Sequence, residues 1–141
     1  MPKKRTTPDL KKTLDTIFSK YIRMRDALIT TSTLTDARCY TCGKRLPTKR
    51  MDAGHWRSRS NGATRYDERN VKAQCKGCNG FHNGMQEEFR RHLVEEYGVG
   101  VVDEIYFASK QPHNFKKSWL EERIKYYKEE VKFLEEQDYD Y

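Results

Sequence analysis

Two Cys-x2-Cys pairs, Cys39/Cys42 and Cys75/Cys78, constrain this chain more than any other feature. Each pair offers two thiolates from one tight turn, and the two pairs together complete the closed tetrahedron of a structural zinc site. Gly43, directly after the first pair, suits such a turn. The alternative of four buried, unliganded cysteines accounts poorly for two such pairs in a polar segment. Four sulfurs leave no open position for a substrate, so the expected Zn²⁺ is structural and stands in for an apolar core. With 35% hydrophobic and 35% charged side chains in 141 residues, a small core carrying long solvated helices is expected, as one domain over 1–141.

No apolar run reaches the length of a membrane span, and the opening "MPKKRTTPDL" is unlike a secretory signal. An intracellular protein with no membrane partner is expected, in a compartment that keeps the cysteines reduced. The net charge of +7 is unevenly placed. Residues 38–83 hold eleven Lys or Arg against three Asp or Glu, a local charge of +8, which leaves the flanks together at −1. A polyanion is expected on this segment, gripped by Arg50, Arg57, Arg59, Arg65, Arg69 and Lys72.

Apolar residues at Leu10, Leu14, Ile17, Tyr21, Met24 and Leu28 alternate steps of four and three, which predicts an N-terminal helix over 8–30, capped by Thr7 with Pro8 at its first position. The middle, 38–97, reads as two zinc knuckles around a hairpin of "KRMDAGHW" and "NVKAQC", with a helix growing out of the second knuckle and stopping at Gly98. A helical extension follows over 101–137. Ser118 and Glu121 form a capping box for its last helix, whose stripe is Leu120, Ile124, Tyr127, Val131 and Leu134. That stripe either packs on the protein's own core or makes a dimer seam. The acidic end "EEQDYDY" is expected to fray.

If the hairpin and the following helix are clamped by zinc, His55, Asn70 and Asn79 converge. A neutral imidazole can take a proton from water near cellular pH, which makes His55 a candidate general base. A hard divalent cation on the Asn79 carbonyl oxygen would stabilise charge on a phosphate. Asn70 either shapes a turn or holds the loop and the histidine by hydrogen bonds.

"CYTCGK", "DAGHWRS", "RYDERNVKAQCKGCN" and "VVDEI" resemble the phage NinG (Rap) recombination nucleases, members of the HNH or ββα-metal class with a four-cysteine zinc site. The resemblance implies an α+β fold: a zinc-stabilised ββα-metal (HNH) core flanked by N- and C-terminal α-helices. It also implies Mg²⁺- or Mn²⁺-dependent cleavage of branched DNA, including Holliday junctions and D-loops, to 5′-phosphate and 3′-hydroxyl ends, in the cytoplasm of an infected bacterial host. Asn79 stands where phage endonuclease VII has a metal-binding asparagine directly after its last zinc cysteine. Many HNH enzymes place a metal ligand immediately before the base, and here that residue is Gly54. Asn79 is therefore expected to hold the catalytic ion with help from His82 or Asp52. Strand alternation sends Asp52 to the face opposite His55 unless Gly54 allows a bulge. Paired cutting of a symmetric junction implies a homodimer. Two other readings share the charge and the cysteines: a non-catalytic zinc-stabilised DNA-binding module, and an HNH nuclease acting on plain duplex.

Overall fold

The structure, a computed structural model, describes residues 4–137 and 139; residues 138, 140 and 141 of the acidic end expected to fray lie outside them. Helix α1 runs Thr7–Thr31. Its cap is Thr6 rather than Thr7: the Thr6 side chain accepts from the Asp9 N–H, and the Asp9 carboxylate accepts the Thr6 N–H at 3.0 Å. The helix buries Leu10, Leu14, Phe18 and Ile22. These steps of four rotate the buried stripe away from Ile17 and Tyr21, which are only partly covered. Against this stripe lies α5 (Lys117–Glu136), burying Leu120, Ile124, Tyr127 and Val131. The C-terminal stripe thus serves the protein's own core. The expected Ser118 capping box does not form, because α5 begins one residue earlier at Lys117 and has no side-chain cap.

Two antiparallel hairpins occupy the middle of an α+β fold. Strands β1 (Asp36–Arg38) and β2 (Arg45–Pro47) make the first, and β3 (Met51–His55) and β4 (Val71–Cys75) the second. The two are not joined into one sheet. The outer edge of β4 is closed by its neighbours: Ala73 N–H donates to the Asp26 carboxylate of α1 at 2.7 Å, and Tyr40 N–H donates to the Ala73 carbonyl at 2.9 Å. Strand β3 pairs only with β4, so its far edge is open.

The helix expected to grow from the second knuckle is interrupted. A single π-helical turn spans Gly77–Phe81, and Asn83, Gly84 and Met85 then adopt left-handed backbone before α3 (Gln86–Tyr97) begins. Helix α3 and α4 (Val99–Ser109) cover Trp56 with Phe89, Leu93, Val102 and Ile105. Between β3 and β4 the chain makes a short α-helix, α2 (Gly62–Arg65), and a single 3-10 turn over Glu68–Asn70. No helix among the described residues is long and apolar enough to cross a membrane.

The β3–β4 register is regular, with Met51 opposite Cys75 and His55 opposite Val71, so Gly54 makes no bulge. Its role is steric. A Cβ at Gly54 would lie 1.8 Å from Oε1 of Gln74, whose wholly buried amide donates to Thr41 Oγ1 (3.1 Å) and the Gly84 carbonyl (2.9 Å). Gly54→Ala must displace Gln74 and break these bonds, an overpacking plus hydrogen-bond loss of about 2–4 kcal/mol. Urea denaturation of the variant is expected to show that loss.

Candidate functional site

Cys39 follows β1, Cys42 sits in the turn before β2, Cys75 ends β4 and Cys78 lies in the π turn. Their four Sγ atoms all lie within 4.8 Å of one another, and Cys42 and Cys75 are 3.8 Å apart. Tetrahedral zinc with sulfur ligands at about 2.3 Å places the sulfurs about 3.8 Å from each other. All four cysteines are free of disulfides, so the cluster could bind a metal ion such as zinc. Gly43, at φ 78°, makes the left-handed turn that brings Cys42 back toward Cys39.

Beside the cluster a cavity of about 700 Å³ straddles the open edge of β3. Asp15 and Ser19 of α1 line one side, His55 and Asp52 the strand, and Asn79 and Asn83 the turn after the second cysteine pair. Asp52 and His55 point to opposite faces by alternation, yet both reach the cavity because it spans an unpaired edge. Asn79 Nδ2 donates to Asp52 Oδ2 at 3.1 Å, and Lys76 Nζ meets Asp52 Oδ1 at 2.7 Å. With its amide nitrogen committed to Asp52, Asn79 presents Oδ1 as an acceptor.

His55 Nε2 lies 2.9 Å from the Arg65 carbonyl. A carbonyl only accepts, so Nε2 carries the proton and Nδ1 keeps its lone pair in the neutral ring. Burial holds the imidazole below its ordinary pKa, against the Arg65 carbonyl, which favours the charged ring, and together with the Arg59 charge, which opposes it. The Arg65 backbone is itself anchored by its side chain: the guanidinium meets the Asp15 carboxylate at 2.5 and 3.1 Å, and Tyr66 donates to the same carboxylate at 2.8 Å. Burial alone would raise the Asp15 carboxyl, but these hydrogen bonds and the Arg65 and Arg59 charges hold it below its ordinary value. Asp15 was missed in the sequence, although an acid between the buried Leu14 and Phe18 of one helical stripe is a signal that it faces a cation.

Two expected site residues lie elsewhere. Asn70 is wholly buried and outside the cavity lining; it accepts Arg57 N–H at 2.8 Å and donates to the Arg57 and Thr64 carbonyls, each at 3.0 Å, bracing the loop that carries Arg57, Arg59 and Arg65. His82 is exposed and does not line the cavity. The DNA-gripping set also divides. Arg57 and Arg59 line the cavity, Arg57 held between the Trp56 and Tyr106 rings, and Arg50 is exposed. Arg65 is committed to Asp15, and Arg69 to Asp67 and Glu104. Lys72 is almost completely buried against Glu96 and the Tyr97 hydroxyl, so it faces no ligand.

The family model described as Bacteriophage Lambda NinG protein matches residues 3–137, and the chain belongs to that family. Among its relatives, Protein ninG of Salmonella phage P22 is 37% identical over 86 residues, which are 60% of this chain and 38% of that protein. Protein ninG of Escherichia phage lambda is 35% identical over a stretch of the same extent. The chain therefore aligns with little more than a third of the length of the curated relatives it matches. No solved structure matches it.

Proposed function

We propose that this chain is a metal-dependent DNA endonuclease of the HNH, or ββα-metal, class, which hydrolyses phosphodiester bonds in branched DNA during phage infection of a bacterial host. One observation carries the reading. A half-buried histidine, with Nε2 2.9 Å from a backbone carbonyl, shares a cavity with an Asn–Asp pair beside a four-cysteine cluster.

In the proposed reaction His55 Nδ1 takes a proton from a water whose oxygen attacks phosphorus. The P–O3′ bond breaks, the leaving oxygen is protonated to the 3′-hydroxyl, and the phosphate stays on the 5′ end. Mg²⁺ or Mn²⁺, when bound, stabilises charge on the phosphate and the leaving oxygen. Asn79 Oδ1 and the Asp52 carboxylate are the hard oxygen donors suited to holding it. Gly54, where many HNH enzymes carry a ligand, has no room for a side chain above Gln74, so that duty falls to Asp52. Arg57 and Arg59 would hold the flanking phosphates and Asn70 their loop. A paired cut at a symmetric junction fits a homodimer. The α5 stripe is not its seam, being buried against α1.

The test compares a synthetic four-way junction with a linear duplex of the same sequence, in Mg²⁺ and in EDTA. Cutting of the junction in preference to the duplex, abolished by EDTA, is the expected result. Equal cutting of both would assign a nuclease of plain duplex, and tight binding with no cutting under any divalent ion would assign a non-catalytic DNA-binding module.

A further inference from the structure

Four of the six cations expected to grip DNA meet carboxylates of the fold: Arg59 and Arg65 share Asp15, Arg69 meets Asp67 and Glu104, and Lys72 meets Glu96. Available positive charge lies instead on a face that the sequence hides. A groove between α1 and α5 is lined by Lys12, Lys20 and Arg23 of α1 and Lys128 of α5, with Ile17 among its walls. Lys12 and Lys128 make no ion pair among the described residues. Lys20 meets one acid, Glu135, at 3.5 Å, and both partners are about half exposed, so water and salt screen the pair.

The groove and the proposed active site are both lined in part by α1, through different residues of that helix. Arg23 donates to the Ser19 carbonyl at 3.2 Å, and Ser19 lines the His55 cavity. Arg23 also donates to the Thr48 carbonyl at 3.4 Å, which ties the exposed Lys49 and Arg50 to the same side of α1. From Lys12 to Arg23 the helix rises about 16 Å. That matches the axial span of about five phosphates on one DNA strand.

We infer that the α1–α5 groove binds the sugar-phosphate backbone of a duplex arm leading away from the cut, with Lys12, Lys20 and Lys128 as its phosphate contacts. The inference rests on the proposed DNA substrate but not on catalysis. A second arm held one helix diameter from the cavity would favour branched DNA by shape, with no base readout.

The test is the salt dependence of binding to a long-armed four-way junction, for wild type and for Lys12→Gln/Lys20→Gln/Lys128→Gln. Each lost phosphate contact lowers the slope of log K against log salt by about 0.9, so the triple variant is expected to lose about 3 in slope and about 10- to 100-fold in affinity at 0.15 M salt. Cleavage at saturating enzyme is expected to be unchanged. A control, Arg90→Gln/Arg91→Gln/Lys110→Gln, removes the same net charge from α3 and the end of α4. An unaltered slope in the groove variant, or an equal loss in the control, would overturn the groove. Wild type that binds with a steep slope lost in the groove variant, yet cuts nothing, would keep the groove and sink the nuclease reading.

Discussion

Removing a metal held by the four cysteines is expected to unfold the middle of the protein while leaving the α1–α5 pair largely helical. The residues around the cysteines form a thin core, with Ala27, Ala37, Met51 and Ala73 packed beside Cys39 and Cys78. Three alanines bury too little area to hold two hairpins that share no sheet. The cluster bridges those hairpins, drawing Cys39 and Cys42 from one and Cys75 and Cys78 from the end of the other and its following turn. Structural zinc in small peptides contributes about 10–16 kcal/mol. A whole domain is stable by only about 5–15 kcal/mol. Chelation, or Cys78→Ser, is therefore expected to cost more than about 4 kcal/mol and to lower the melting temperature by about 10 °C or more. Hydrogen exchange supplies the decisive readout: amides of residues 36–55 and 71–81 should lose protection first, and those of α1 and α5 last. A protein shown by elemental analysis to be metal-free, with an unchanged melting temperature, would remove the cluster from the stability argument.

Local chemistry was legible in the sequence and long-range pairing was not. The cysteine spacing, the β3–β4 hairpin and the existence of the terminal helices all depend on residues near one another in the chain, and the structure places them as read, although the buried stripe of α1 turns to Phe18 and Ile22. The errors over the DNA contacts have one physical origin. Counting charge along a segment assumes that its neutralising acids lie in the same segment, but Asp15 comes from α1, Glu96 from α3 and Glu104 from α4. Those carboxylates draw four expected DNA contacts, Arg59, Arg65, Arg69 and Lys72, into ion pairs of the fold. The same bookkeeping left the flanks near neutral and hid the lysines of the α1–α5 groove, of which only Lys20 meets an α5 acid, Glu135, among the described residues. Asn70, expected to shape a turn or to hold the loop and the histidine, lies buried beneath the loop and bonds to Arg57 and Thr64. Alternation would have excluded Asp52 from a site with His55. The rule holds for the two side-chain directions, and both residues nonetheless line one cavity because it wraps the open edge of β3.

His55→Ala is expected to lower the rate of junction cleavage by about 10²- to 10⁴-fold, the usual contribution of a positioned general base, with junction affinity nearly unchanged. Two features separate this role from a structural one. His55→Gln can keep a donor to the Arg65 carbonyl, so the loop carrying Arg59 and Arg65 stays in place while the basic nitrogen is lost; it should fold like wild type and still cleave slowly. The wild-type pH profile supplies the second. Only the neutral ring can accept a proton, so the rate should rise with pH at unit slope while His55 is charged and level off once it is not. Burial lowers its pKa from the ordinary 6.5, which moves the break to the acid side of that value and keeps the base form dominant at neutral pH. A variant that cuts at the wild-type rate would end the assignment. So would a wild-type rate without a break on the acid side of neutrality, since the imidazole in this cavity must then be doing something other than taking the proton.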